Sequence, residues 1–377
     1  MSGPSDIAVV GGGLVGASLA LGFVRAGASV TLLDAGDDRF HASVGNFGLV
    51  WVQGKGASCP DYADLSLRSA KAWQGFAETL EDGASTDAPL GYRACGGIKI
   101  TLGAEELDAA AAGLDRMHNQ SGPAGNDMIL LDRDALRDRI AAIGPEVSGG
   151  TFCPHDGHAD PLATLRALHR ALRRAGVRVL RGKALRASAE PGGQGFTIET
   201  ETQRIACGRV VLAAGLGNSE LCEPLGLRAH LRPQRGQIVV TERTAPFLDL
   251  ACHSVRQTED GTVMLGDSKE EVGFDTSTTG DVTRAILDRA VRCFPHLATV
   301  RMMRTWGALR VMSPDGLPIY QTSERHPGAS LVTCHSGVTL AATHAGEVAS
   351  AILENRLNSS YPAFSPARFS AGFEATT

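Results

Sequence analysis

The opening of the chain reads as strand, turn, helix, strand. Asp6-Ile7-Ala8-Val9-Val10 is a short, continuous apolar run, the pattern of a parallel strand covered on both faces. It runs into Gly11-Gly12-Gly13-Leu14-Val15-Gly16, then a stretch of helical composition over 17–26 that Gly27 halts. Ser29-Val30-Thr31-Leu32-Leu33 predicts the next strand, and Asp34 ends it, 23 residues after Gly11. Trp73, Phe76, Ala77 and Leu80 fall at i, i+3, i+4 and i+7, one face of a helix. Asp160-Pro161 supplies an N-cap and a first helical residue for a segment bearing Leu165, Leu168 and Leu172. Strands follow at 177–180, 196–200 and 209–212, the last ending in Ala213-Ala214-Gly215. From about 232 to 320 the pattern changes to short β-rich runs, 237–241 and 263–266, and a helix over about 281–294.

This order predicts an α/β fold, a Rossmann-type nucleotide-binding domain with an α+β second domain of antiparallel sheet inserted into it. The nucleotide domain is expected at 1–84, 150–230 and 325–377, and the substrate domain at 85–149 and 231–324.

Composition narrows the function. With 43% apolar and 20% charged residues and no low-complexity tract, the chain can bury a large core. A net charge of −5 argues against a nucleic-acid partner. No apolar run reaches the ~18 residues of a membrane span. The first dozen residues already enter a strand and a glycine turn, so no signal peptide is expected. A cytoplasmic protein is the expectation, with peripheral attachment to the inner membrane left open. The eight cysteines lie at least 15 positions apart and form no CxxC, so buried free thiols are expected and a metal site is not.

The glycine turn is the first candidate chemistry. Gly11 permits the tight turn, Gly13 lets the backbone approach a pyrophosphate, and Gly16 lets helix pack on strand. The helix amino terminus offers amides and a positive dipole end to phosphates, and Asp34 would bind ribose hydroxyls. The motif alone does not separate FAD from NAD. Downstream, however, residues 42–50 form a loop of small residues with a hydroxyl and an amide, where a NAD-binding half would enter a second βαβ unit. A second GxGxxG after Leu212 would need glycine at 220, where Glu220 stands, so an enzyme using both FAD and NADPH is not expected.

In this order the motifs resemble the FAD-dependent D-amino-acid oxidase and glycine oxidase superfamily. They are the glycine turn, Asp34, residues 42–48, 156–161, 210–219, 232–237, 306–318 and 335–341. The stretches 48–56 and 334–341 look most like its amino-acid and opine dehydrogenase branch, which includes D-hydroxyproline dehydrogenase and opine oxidase small chains. The resemblance implies non-covalent FAD, since branches with attached flavin carry a cysteine near Ala308. It assigns Gly11, Gly13, Gly16 and Asp34 to the diphosphate and ribose, and Ser43, Asn46 and Gly48 to the loop along pyrophosphate, ribityl chain and isoalloxazine edge. Ala184 falls beside adenine, Ala213 and Gly215 at the ribityl turn, and Gly337, Val338 and Thr339 at the turn opening the last helix.

Arg310 matches the arginine that clamps a substrate carboxylate, as a guanidinium fork suits. The oxidases' active-site tyrosines have no evident counterpart among Tyr62, Tyr92, Tyr320 and Tyr361, and His253, Arg256 and His335 are candidate substitutes. Lys55 is a cation that could meet a second carboxylate of an opine-like substrate.

The implied activity is oxidation of the C–N bond of an amino or imino acid (D-amino acid, hydroxyproline or opine type) by hydride transfer to flavin N5, giving an imine and then a keto acid. Oxygen, a quinone or a partner subunit could take the electrons. The strand lysine that promotes oxygen reactivity in sarcosine-oxidase relatives aligns with Met264, which favours a dehydrogenase. The alternative is a flavin-carrying subunit of a multi-subunit amine dehydrogenase that needs partner chains for electron transfer.

Overall fold

The computed structural model describes residues 4–36, 42–81, 90–119 and 127–369. Its centre is a parallel sheet in the order Ala329–Thr333, Arg204–Leu212, Ser5–Val10, Val30–Asp34, Arg178–Arg181. Ile319–Thr322 runs antiparallel at one edge. Ala184–Ala189 and Phe196–Thr200 form an antiparallel meander hung from Arg204–Leu212.

Both sheet faces are covered, as the unbroken apolar strands predict. Along Ser5–Val10, Ile7 and Val9 join one hydrophobic cluster while Ala8 and Val10 join another. The first cluster is built with the helices Leu14–Arg25, Pro60–Glu81 and Pro161–Arg174 and the helical segment from Ala341 to Leu353. The second is built with the meander, through Ala187, Phe196 and Ile198, which share it with Cys207 of Arg204–Leu212. Gly22 lets the first helix cross the last closely: a Cβ there would come within 2.5 Å of both the Ala345 carbonyl oxygen and the Ala349 methyl.

A separate hydrophobic cluster holds the remainder together. One antiparallel sheet is ordered Val255–Gln257, Thr262–Leu265, Arg232–Arg243, Met302–Met312. The other is ordered Ala251–Cys252, Gly97–Leu102, Val147–Cys153, Ile129–Asp132. Ile98, Leu131, Val239, Val263 and, from the helix Gly280–Cys293, Ile286 share this core. The strand Val147–Cys153 straddles position 150. All eight cysteines are free thiols, six of them buried. No helix among the described residues is long and apolar enough to cross a membrane.

Candidate active site

Three chain segments converge at the carboxyl edge of the parallel sheet. Val10 stands opposite Leu33 on one side and Leu212 on the other, so Gly11, Asp34 and Ala213 emerge together. Gly11 has φ +109°, and a Cβ there would lie 2.3 Å from the Ala213 carbonyl oxygen. A Cβ on Gly16 would lie 1.9 Å from the Gly11 carbonyl oxygen. Backbone is the obstacle in both cases, so only glycine fits. At Gly13 a Cβ would instead meet the Ser43 hydroxyl at 2.7 Å, where the following loop folds over the turn.

The helix Leu14–Arg25 starts here with no acidic residue in its first turn. Leu14 N–H donates to Ser43 Oγ (3.0 Å), and Ala17 N–H donates to the Gly13 carbonyl (2.9 Å). The Val15 and Gly16 amides precede that first helical bond and point out of the helix end, a ready anion site. The Asp34 carboxylate accepts from Gly36 N–H (3.2 Å) and forms no ion pair among the described residues. Gly182 N–H bonds the Asp34 carbonyl (2.8 Å), which brings buried Ala184 to the same edge. Ala214 N–H donates to Asn218 Oδ1 (2.8 Å), while buried Asn218 Nδ2 has no partner. Gly215 follows with φ +57°. Amides for phosphates and a carboxylate for ribose hydroxyls are the donor and acceptor set that a dinucleotide needs.

The loop over the turn is braced from three directions. Asn46 Oδ1 accepts from Gly48 N–H (2.8 Å) and its Nδ2 donates to the Ser43 carbonyl (3.1 Å), an Asx turn. Leu49 and Val50 pair with His158 and Gly157, and Ala159 N–H donates to the Gly48 carbonyl (2.8 Å). Asp160 caps the next helix through Leu162 and Ala163 N–H (2.8 and 2.9 Å), and His169 on that helix bonds the Gly12 carbonyl (2.7 Å). The Trp306 indole N–H reaches the Gly45 carbonyl (3.0 Å). Arg256 is one of these braces, donating to the Ala159 carbonyl and to Met264 Sδ. Gly337 sits against Val15 and Leu14, and the Val338 and Thr339 carbonyls accept from the Trp73 indole (2.9 and 3.2 Å). These three residues form a turn, and regular helix begins at Ala341.

A charged cluster stands beside this turn. Arg310, on the strand Met302–Met312, pairs with Asp267 (3.0 Å) and donates to the Ser268 carbonyl (2.8 Å). Its guanidinium lies over Gly236, where a Cβ would come within 2.6 Å of Nη1. The side chain is 27% exposed, neither a surface arginine nor a sealed one. Burial lowers its pKa, with Asp267 and Glu270 opposing. The imidazole of His335 is pushed down to about 3 by burial, then by the positive charges of Lys55 and Arg310. Burial also lowers His253, against the pull of Asp267, and its ring lies 5.9 Å from that of Trp51. Arg310, His253 and His335 therefore share one neighbourhood, with both imidazoles neutral at physiological pH.

Four further residues here escape sequence reasoning. The Tyr62 hydroxyl bonds Ser336 Oγ and its ring lies 6.4 Å from His335, so a tyrosine does border the cluster. Burial raises its pKa. Asp156 is fully buried, accepting from Val52 N–H (2.5 Å) and Gln53 Nε2 (2.7 Å). Burial raises its carboxyl to about 7 despite those bonds. Asp267 and Trp306 complete the set. The one legible hint is the first aspartate of 156–161, in a stretch where the recognisable local role, helix capping, belongs to Asp160.

A family model described as "FAD dependent oxidoreductase" matches residues 6–351. The chain is 41% identical to a protein named as a subunit of opine oxidase from Agrobacterium tumefaciens (strain Ach5) over 366 residues, 97% of this chain and 98% of that one. Its identity to the Rhizobium meliloti protein of the same name is 39%, with the same coverage. In fold it resembles glycine oxidase from Geobacillus kaustophilus, with TM-score 0.84, 21% identity and coverage of 94% of this chain and 96% of that one. It likewise resembles L-proline dehydrogenase from P. horikoshii, with TM-score 0.82, 20% identity and coverage of 99% of both chains. A glycine-lined crevice of the right donor set and a family match across nearly the whole chain agree: this protein belongs to the FAD dependent oxidoreductase family.

Proposed function

We propose that this oxidoreductase acts on the C–N bond of an amino or imino acid of D-amino-acid, hydroxyproline or opine type, giving an imine that water converts to a keto acid. The observation that carries the reading is Arg310, a largely desolvated fork on a rigid strand, ion-paired with Asp267 and next to two neutral imidazoles. A substrate carboxylate can take the place of Asp267 on that fork, in a bidentate geometry that orients the α-carbon.

Bound FAD supplies the two-electron acceptor. Gly11, Gly13 and Gly16 would hold its diphosphate through main-chain amides, Asp34 its ribose, and Ala184 would lie at the adenine. Ser43, Asn46, Gly48, Ala213 and Gly215 would line the middle of the cofactor, and the turn Gly337, Val338, Thr339 its far end. Buried Ala308 offers no thiol for attachment, which supports non-covalent binding.

The donor carbon loses a hydride equivalent, the nitrogen loses a proton, and a C=N bond forms. His253 and His335 offer hydrogen bonds while carrying no charge to compete with Arg310 for the carboxylate. With both imidazoles depressed, neither is a strong base. The amine's own deprotonation then sets the alkaline rise of the rate. The names of the two relatives, each one chain of an opine oxidase, support a partner chain as the route by which electrons leave, with oxygen or a quinone as the other acceptors.

The test is anaerobic bleaching of the yellow holoprotein by a panel of D- and L-amino acids, proline derivatives, glycine, sarcosine and opines. At least one should bleach it, and Arg310→Ala should slow that reaction by ~10²–10³-fold. Equal bleaching by Arg310→Ala removes the clamp. Co-purification of a neighbouring gene's product on size exclusion tests the multi-subunit form.

A further inference from the structure

We propose that Lys55 anchors a second carboxylate, so that the site takes a secondary amine flanked by two carboxylates, one on Arg310 and one on Lys55. This rests on the functional reading above and narrows its substrate class.

The ammonium is half-buried and its surroundings are incomplete. Nζ donates to Thr339 Oγ1 (3.1 Å) and lies 5.8 Å from the centre of the Tyr62 ring, but no carboxylate of the described residues is within ion-pair distance. A hydroxyl and an aromatic face are poor compensation for a desolvated cation. The position is built rather than accidental. Trp51 N–H is held by Thr339 Oγ1 (3.1 Å), Val52 N–H by Asp156, and Lys55 N–H by the Val52 carbonyl (3.1 Å). Gln53 is locked to Asp156, Thr151 and the Gly97 carbonyl. A turn pinned at each of these residues holds the start of the lysine side chain in one place. Asp156 is near, yet its oxygens are occupied by Val52 and Gln53, and it leaves the ammonium without a carboxylate partner among the described residues.

The second observation is the placement of His335. Its ring lies 6.4 Å from that of Tyr62, the same ring that Lys55 Nζ approaches to 5.8 Å, and it feels the charges of Lys55, Arg310 and Lys269. A ligand with one carboxylate would satisfy Arg310 and leave Lys55 unpaired. A dianion with a central nitrogen satisfies both and brings that nitrogen past the imidazole.

The experiment uses two unreactive probes, titrated into the FAD-loaded full chain and read by the flavin visible spectrum. Diglycolate carries an ether oxygen between two carboxylates, and methoxyacetate is its single-carboxylate counterpart. Wild type should bind diglycolate at least about tenfold tighter. Lys55→Met should bring diglycolate to the methoxyacetate level, and Lys55→Arg should restore part of the preference. Methoxyacetate should bind wild type and Lys55→Met alike and be lost in Arg310→Ala. If that arginine dependence holds while wild type binds both probes equally, the Lys55 proposal alone is overturned. If neither probe binds, or Arg310→Ala changes nothing, the functional reading falls and this proposal with it. Loss of flavin from Lys55→Met, with Lys55→Arg retaining it, assigns the ammonium to the cofactor and also overturns the proposal.

Discussion

At the sheet edge, Gly11, Gly16 and Ala213 meet through backbone, with 1.9–2.3 Å between a hypothetical methyl group and a carbonyl oxygen. A short way off, Arg310, Lys55, His253 and His335 form a neighbourhood of side chains, each from a different segment of the chain. The crevice is defined by what must be absent, since a β-carbon at Gly11 or Gly16 would collide with main chain. The cluster is defined by charge, and of its members Arg310 reaches main chain, through the Ser268 carbonyl. Changes in the first region should therefore act on folding and cofactor retention. Changes in the second should act on what the holoprotein binds.

The sharpest way to break this contrast is Gly16→Ala. The added methyl group has only backbone to displace, so destabilisation of ~3 kcal/mol and purification without yellow colour are expected. A holoprotein with normal melting temperature would show that the crevice yields as the cluster does. Next in size is Arg310→Lys, which keeps the charge and loses the fork. A fall of ~10–10²-fold in kcat/KM is expected at unchanged flavin content.

The pH dependence of diglycolate binding separates the regions further. Burial lowers the Lys55 ammonium to about 8, with Cys334 and Asp156 opposing, and the facing His335 and Tyr62 stay neutral across that range. Lys55 is a cation below that value and neutral above it. Asp156, which also acts on Lys55, gains its negative charge near 7, so diglycolate affinity should begin to fall near pH 7 and go on falling as pH rises through about 8, while methoxyacetate affinity does not follow.

Asp156 gives a smaller effect on stability. Its folded pKa, about 7, lies above its ordinary 3.8, so the stability it contributes is complete below 3.8 and is lost as pH climbs through 7. Melting temperatures of Asp156→Asn between pH 4 and 8 should vary less steeply than those of wild type. The smallest expected change is Trp306→Phe. It removes one hydrogen bond to Gly45, about 1 kcal/mol, and should weaken FAD binding by ~5-fold in a fluorescence titration.

The same contrast explains what could be read from sequence. Gly11 and Gly16 are legible because backbone geometry permits one residue type at each, and Gly13 because it completes their fixed spacing within a single turn. Asp160 is legible because a cap is local, bonding Leu162 and Ala163. The buried parallel strands are legible because their apolar runs leave no face for water, whereas their order and the register at Val10 are set by pairings that no single run encodes. Asp156, by contrast, bonds Val52 and Gln53 more than a hundred residues away, and Trp306 bonds Gly45 from further still. No spacing rule links such partners. Tyr62 lies in a helix whose apolar face reads as ordinary core, and its hydroxyl acquires meaning only when Ser336 arrives opposite it. Arg256 shows the reverse case, a candidate pocket residue engaged in bracing Ala159 and Met264.

Trp306 and Arg310 stand on the same strand, four residues and about 13 Å apart, and alternation places both on one side of it. One grips the loop at Gly45, and the other is the proposed clamp. The long pairing of that strand with Arg232–Arg243 makes the two a single stiff lever with a handle at each end. A substitution that loosens this pairing disturbs both ends at once, so in such a variant the grip on Gly45 and the proposed clamp should weaken together along eleven residues of ribbon.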